Sequence, residues 1–420
     1  MFLSYNKNLY VTAISTSKIE VPPEYKIKQV SNKVKVQVGK RMPTELLNPE
    51  DYTKKDIKDL RVAMIANWGD QCGIATYTAY LCSAMKPMVK ELKIFSEVNE
   101  SVPIEEGVEQ CWKRGECLLG LVKKIKEFGA DYVILQHEYG LFFSANFFSQ
   151  FLQHLEDIPY LVQTHSVYSS HLDKFCYTQC IKNICVHTEE QKNVYKKLGS
   201  SARIFTVPHG CIEYEDTSEL YNINHNPYTV VQAGFPNKYK GLNRALEAIS
   251  ILKKNDTKFK NIFFSYLMSE TGRSPIADQN YYDELMELAE KLDVVENFAI
   301  IRKYQSEASL CLFFRLNKLA IFPYINDKEG AVRSASGAVR IAMANHIPVI
   351  ASESFLFDDV RNVVPCPDSA EKLAAEIDKI FSNSIYRNEL VNKASKYVED
   401  NSWEKSALGY LNIYNQLAQP

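Results

Sequence analysis

Long apolar runs are missing from this chain. The longest, around Leu310–Phe314, contains a cysteine and falls far short of the roughly 20 residues a membrane helix needs. No basic leader followed by an apolar core opens the sequence. The expectation is therefore a cytoplasmic protein with no signal peptide and no transmembrane segment. A dominant charge of one sign is missing too. The 49 Lys and Arg against 51 Asp and Glu leave a formal charge of -2, which argues against a uniformly basic nucleic-acid binder and leaves only local patches. Low-complexity tracts and short-period repeats are absent. None of the ten cysteines falls into CxxC, which fits scattered thiols in a reducing compartment. One cluster has to be weighed: His171, Cys176, Cys180, Cys185 and His187. Without paired spacing, buried thiols are the ordinary reading, and no metal is expected. There is no GK[ST] loop and no GxGxxG, so neither a Walker site nor a dinucleotide fingerprint is present.

What is present is ordinary globular composition: 46% hydrophobic and 24% charged residues over 420 positions. That length suggests two or three domains. Residues 1–59 read as an N-terminal extension. It holds Pro22-Pro23, Pro43 and Pro49, and an alternating stretch with Val30, Val34, Val36 and Val38 on one face and Lys33 and Lys35 on the other. Tyr25–Arg41 carries six basic residues and no acidic one. Lys33 and Lys35 are thus candidates for an anionic acceptor such as nucleic acid; an edge strand protected by lysines is the plainer reading.

From Arg61 onward, short apolar strands alternate with helical spacing. Strands are expected at Val62–Ala66, Leu92–Phe95, Tyr132–Gln136, Tyr160–Thr164, Asn183–His187 and Arg203–Val207. Helices are expected at Ile74–Glu91, Glu116–Phe128, Phe143–Leu155 and Glu189–Leu198. After a polar linker the alternation restarts at Val230 and ends in a helix from Trp403. This predicts an α/β chain of two doubly wound Rossmann-like domains facing a central cleft. The expected bounds are 60–212, linker 213–227, 228–400, and a closing helix in 401–420.

Ligands of such sheets sit beyond the carboxyl ends of the strands. Four segments lie there. Gly69–Thr76 opens a helix at Gly73, where free N–H groups meet an anion well. Gly234–Gly241 offers Lys238 and Lys240 as counter-charges. Lys328–Ala338 contains Arg333 and a helix start at Ser336, Gly337 and Ala338, with Ser336 as N-cap. Gln136–Gly140 together with Gln163–Ser166 places His137, Glu138 and His165 where sugar hydroxyls could be met.

In this order, the segments resemble the retaining glycosyltransferase family 4, of the GT-B fold. The matching stretches are Cys72–Thr78, Gln136–Gly140, Thr164-His165, Pro208-His209-Gly210, Lys240-Gly241, Phe322-Pro323-Tyr324, Ala342-Met343-Ala344 with Pro348–Ser352, and Asn401–Glu404. The resemblance covers about residues 61–418. It implies a nucleotide-sugar donor held mainly by the C-terminal domain, an acceptor held mainly by the N-terminal one, transfer with retention, and no metal or other cofactor strictly required. Carried over, Gly73 would face the donor phosphate, His165 the donor sugar and Lys240 the diphosphate. The Ser336-Gly337-Ala338 helix start would cradle that diphosphate through N–H groups.

Three departures stand out. The family's two glutamates, eight apart, fall on Arg333 and Ile341, and Glu329 looks like the first of them displaced by a longer loop. The arginine expected after the strand glycine is Phe235, with Lys238 or Arg333 as substitutes. His346 replaces a glycine. The acceptor is unidentified: a saccharide, a lipid-linked glycan, a protein or a modified DNA base. Two further readings stay open. One is a nucleotide-sugar epimerase with Glu138 and Glu329 as acid and base. The other is a degenerate relative acting as a binding or scaffold protein.

Overall fold

The computed structural model describes residues 55–418 apart from 143, 170–171, 213–225, 271–274 and 327–331, together with four short strands nearer the amino end. Those four pair antiparallel, Tyr5–Asn6 with Tyr10–Val11 and Lys28–Val30 with Lys33–Lys35. The basic stretch therefore contains a hairpin, Val30 facing Lys33, where its alternation suggests one continuous strand. The side chains of Lys33 and Lys35 lie outside the described residues, as does Glu329.

In the main unit the first domain is a seven-stranded parallel sheet. Its strands are β1 (Arg61–Ala66), β2 (Glu91–Glu97), β3 (Val108–Trp112), β4 (Tyr132–His137), β5 (Tyr160–Thr164), β7 (Asn183–Val186) and β8 (Arg203–Thr206), in the spatial order β8-β7-β5-β4-β1-β2-β3. The two-residue β6 (Val167–Tyr168) stands apart from it. Runs such as Val-Ile-Leu in β4 are buried on both faces, the mark of a parallel sheet covered by helices. The second domain has five parallel strands: β9 (Thr229–Gly234), β10 (Phe263–Met268), β11 (Phe298–Arg302), β12 (Leu319–Ile321) and β14 (Val349–Ile350), in the order β11-β10-β9-β12-β14. Between β12 and β14 lies the short β13 (Val332–Arg333).

Four helices supply or brace the residues at these strand ends: α1 (Gly73–Met85), α7 (Pro275–Lys291), α9 (Gly337–Ala344) and α12 (Trp403–Leu417), numbered in chain order. The helix expected to run to Glu91 stops at Met85, because Pro87 enters a 3-10 turn and the chain then turns into β2. Strand β3 was not expected; its sequence, Val-Glu-Gln-Cys-Trp, is that of a sheet edge with only Val108 and Trp112 buried. A helix at Glu307–Arg315 was also missed, since its Cys-Leu-Phe-Phe run hides helical spacing.

The closing helix α12 returns to the first domain and packs on α1. The Tyr77 and Tyr410 hydroxyls meet at 2.9 Å, and the Tyr132 hydroxyl donates to the Tyr410 carbonyl. Where the chain passes between domains, Cys211 N–H donates to Asn401 O at 2.7 Å and Cys211 pairs with Ser402. Gly210 allows this crossing: a Cβ there would stand 2.3 Å from the Trp403 ring.

Candidate functional site

The carboxyl ends of four neighbouring strands each carry a histidine. His137 ends β4, His165 follows β5, His187 follows β7 and His209 comes three residues after β8. Three of them gather around Tyr77 of α1. Ring centroids of His165, His187 and His209 lie 4.8, 5.3 and 4.9 Å from that of Tyr77. Trp403 closes the group at 4.8 Å. Hydrogen bonds set the tautomers. Gln163 Nε2 donates to His187 Nε2 at 3.2 Å, so His187 Nδ1–H donates to Val207 O at 3.1 Å. His165 Nε2–H donates to Gln136 Oε1 at 2.9 Å, the orientation that lets the Gln136 amide donate to Met64 Sδ. Burial, reinforced by His187, holds His165 well below the ordinary histidine value, and burial holds His187 at about 3. Both imidazoles are therefore neutral at physiological pH.

Glu138 sits beside His165. Its carboxylate accepts from Ser166 Oγ at 2.5 Å and from Tyr139 N–H at 2.9 Å. Burial nevertheless raises its pKa, the direction expected of a proton-transfer group. His137 points elsewhere. It is wholly buried among Tyr139, Phe142, Phe148 and Tyr177, with both ring nitrogens unpartnered. An acceptor-side role for it is therefore corrected: the imidazole presents no surface.

Across from these groups, the loop after β9 turns through Lys238–Lys240 into a helix beginning at Leu242. Gly241 makes the turn possible. Its φ is +69°, and a Cβ would sit 1.9 Å from the Pro323 carbonyl oxygen. Lys240 is buried and its Nζ folds back towards Gly234. The ammonium donates to the Tyr324 hydroxyl at 2.8 Å and lies 4.1 Å over that ring and 4.9 Å from the Tyr239 ring. Burial works to lower its pKa, but the Tyr324 and Tyr239 oxygens outweigh it and the net direction is upward. Among the described residues no carboxylate pairs with it. Lys238 behaves differently: it is solvent-facing and paired with Glu284 of α7 at 2.7 Å, so it does not join Lys240.

The start of α9 is the third component. Ser336 occupies the N-cap position but its side chain caps nothing, contrary to expectation, so the first N–H groups at Gly337 and Ala338 keep no side-chain acceptor. One turn on, the buried Arg340 donates from Nη1 to the Ser336 carbonyl at 2.7 Å and pairs with Asp359, fixing the turn from beneath. Arg333 is not a free cation: it pairs with Asp358 and lies 4.1 Å over the Phe355 ring. Its backbone joins the two domains, because β6 pairs antiparallel with β13, Val167 against Arg333, and Gln191 Nε2 donates to Arg333 O at 3.1 Å. Gly73, at the start of α1, has nothing within 4 Å of where a Cβ would be, leaving the backbone open to a ligand. Among the described residues no cluster of His, Cys, Asp and Glu could hold a metal ion, and no helix is long and apolar enough to cross a membrane.

Among solved structures, a glycosyltransferase from Rickettsia africae is similar over 85% of this chain and 98% of its own, with a TM-score of 0.66 at 15% identity. An Anabaena protein, Alr3699/HepE, solved in complex with UDP and glucose, matches over 85% and 100% with a TM-score of 0.62 at 11% identity. The chain has the GT-B fold. A further GT-B match is a trehalose-6-phosphate structure from E. coli bound with UDP-2-fluoro glucose, over 86% and 99%, with a TM-score of 0.64 at 12% identity. Residues 213–397, which span the second GT-B domain, match the family described as Glycosyl transferases group 1. Comparison with curated proteins gave no match.

Sequence reasoning quoted Tyr77 and His209 only within matching stretches and weighed His187 only within a cysteine cluster, and did not see that the three rings meet. A signal was available: His165, His187 and His209 recur every 22 residues, each beyond a strand end. Arg340 had none, since an arginine inside an apolar helix acquires meaning only through packing; Tyr324 stands in a matching stretch, but its bond to Lys240 could not be read there.

Proposed function

We propose that this GT-B chain transfers a glycosyl group from a nucleoside diphosphate sugar to an acceptor hydroxyl, with retention at the anomeric carbon, as a member of family 4. The observation that carries the reading is the buried ammonium of Lys240, which has tyrosine partners and no counter-charge among the described residues. A buried cation without an anion is costly unless a ligand supplies one, and this one belongs to the domain that matches group 1 glycosyl transferases. A donor diphosphate is such an anion, shared between Lys240 and the uncapped start of α9.

In the reaction the bond from the anomeric carbon to the β-phosphate oxygen breaks and its electron pair stays on the diphosphate. Lys240 and the α9 N–H groups stabilise that growing charge. The acceptor oxygen bonds the anomeric carbon on the same face, and its proton passes to Glu138, whose raised pKa suits a base. His165, neutral and with Nε2–H already given to Gln136, offers Nδ1 as an acceptor for a sugar hydroxyl. The positive charge comes from the chain itself, so no divalent metal is called for, and a chelator should leave turnover unchanged. Two of the similar structures hold UDP or a UDP-sugar, which supports starting with uridine donors.

The test is calorimetry with UDP, GDP, ADP and their sugars, followed by nucleotide release in the presence of candidate acceptors. Binding with slow hydrolysis of one donor is expected. Absence of binding by all of them at millimolar concentration rejects the reading. Binding without turnover on any acceptor would favour a binding protein.

A further inference from the structure

We propose that His209 takes up a proton when a nucleoside diphosphate occupies the start of α9, and then donates Nε2–H to a phosphate oxygen. The proposal rests on the donor-site reading above and adds to it a ligand-contacting group and a pH dependence.

The geometry begins with the backbone. Pro208-His209-Gly210 is the exit from the first domain, and it delivers the His209 ring between Tyr77, Trp403 and the first residue of α9. Nδ1 lies 2.7 Å from the Gly210 carbonyl. A carbonyl can only accept, so Nδ1 carries the hydrogen, and in the neutral ring Nε2 holds a lone pair. That lone pair has no hydrogen-bond partner among the described residues. It is the atom nearest to where a Cβ would stand on Gly337, at 4.0 Å. The neutral ring therefore places an acceptor beside the first residue of α9, whose leading N–H groups have no side-chain cap.

A diphosphate there would bring oxygens up against that lone pair. Acceptor facing acceptor is repulsive; an imidazolium in the same position donates a charge-assisted bond instead. The surroundings decide which form exists without ligand. Arg340 faces the ring from α9, His187 from the end of β7, His165 from the end of β5, Tyr77 from α1 and Trp403 from α12. Burial, the Arg340 charge and the neighbouring histidines all hold the free ring neutral. A phosphate is the one negative charge this arrangement lacks. Binding and protonation are then linked: affinity rises as pH falls through the pKa of the bound state.

UDP is the probe, compared between the parent chain and His209→Asn in two buffers of different ionisation enthalpy. The parent should take up about half a proton or more per UDP at pH 6.5 beyond whatever the variant shows, a comparison that cancels the titration of UDP itself. The ratio of parent to variant affinity should grow about tenfold between pH 8 and pH 6, one decade for one proton over a unit of pH. A separate reading needs no variant: on adding UDP to the parent, one histidine Nε2 should move into the imidazolium range of the nitrogen NMR spectrum. Equal proton uptake in parent and variant, or no such shift in the parent, overturns the role of His209 while leaving the donor site standing. Failure of UDP, GDP and ADP to bind the parent overturns both.

Discussion

Replacing His137 by phenylalanine should make the protein more stable, and more so as the pH falls. The imidazole lies within 5.0–5.9 Å of four aromatic rings, centroid to centroid, and neither nitrogen finds a partner. Whichever tautomer forms, one N–H and one lone pair are left unmade, a loss of roughly 1–3 kcal/mol per group. Burial also holds the pKa at about 3, against about 6.5 in an unfolded chain. The unfolded state therefore binds a proton from about pH 6.5 downward, while the folded state refuses it until about pH 3. Stability is full above pH 6.5 and declines below it at ~1.4 kcal/mol per pH unit, reaching about 2 kcal/mol of loss at pH 5. Phenylalanine removes both penalties and adds some crowding, which takes back about 1 kcal/mol. The expected net gain is at least about 1 kcal/mol at pH 7.5 and at least about 3 kcal/mol at pH 5. At roughly 2–4 °C per kcal/mol for a sizeable domain, melting curves at the two pH values resolve this. His187, also held at about 3, stays in both proteins and serves as a common background. A variant that melts no higher than the parent, with an unchanged dependence on pH, would refute the reasoning, because His137 would then have a partner or a proton.

Lys240→Met keeps the volume and removes the charge; calorimetry should show donor binding weakened about 10- to 150-fold, the worth of a charge-assisted contact, with little change in melting temperature. His165→Ala should cut turnover by about a hundredfold while bare UDP binds as before, and equal losses in both assays would move His165 into the nucleotide site. Gly241→Ala forces a left-handed backbone on alanine and drives its Cβ against Pro323 O, so a loss of about 3 kcal/mol or more is expected in denaturant unfolding. The double change Lys33→Gln and Lys35→Gln should flatten the salt dependence of turnover if the acceptor is anionic; an unchanged slope on the best acceptor assigns that hairpin to edge protection.

The alternation of elements was legible because each buried parallel strand is a short apolar run punctuated by turn residues, as Tyr160–Thr164 shows with both its ends placed correctly. Elements whose burial is one-sided or whose spacing is masked were not: β3 shows the first failure and the helix at Glu307–Arg315 the second. The places of Lys240, Gly241, His165 and Glu138 in the fold could be read, because each lies at the end of an obvious strand or the start of an obvious helix. The partners of a side chain could not be read. Lys238 and Lys240 look equivalent in sequence, yet one finds Glu284 on the surface and the other finds two tyrosine rings in the interior. Arg333 is of a residue type suited to phosphate oxygens, yet Asp358, 25 positions later, takes it. Residues close in sequence are separated by which way the chain turns between them, and that is decided by contacts tens of positions away.

The paired crossing of the chain between domains has a mechanical consequence. One strand leaves the first domain at Gly210–Cys211 and another comes back at Asn401–Ser402, and the two are tied side by side by the Cys211 N–H to Asn401 O bond. Two adjacent attachment points behave as the pin of a door: rotation about the line through them changes a few backbone torsions, whereas sliding or twisting one domain on the other would tear both crossings. Away from that pin, among the described residues, the domains also meet at the antiparallel contact of Val167–Tyr168 with Val332–Arg333 and the Gln191 bond beside it. Any swing of one domain on the other thus turns at Cys211 and strains the contact at Arg333, so its cost falls on a handful of hydrogen bonds rather than on the side chains at the strand ends.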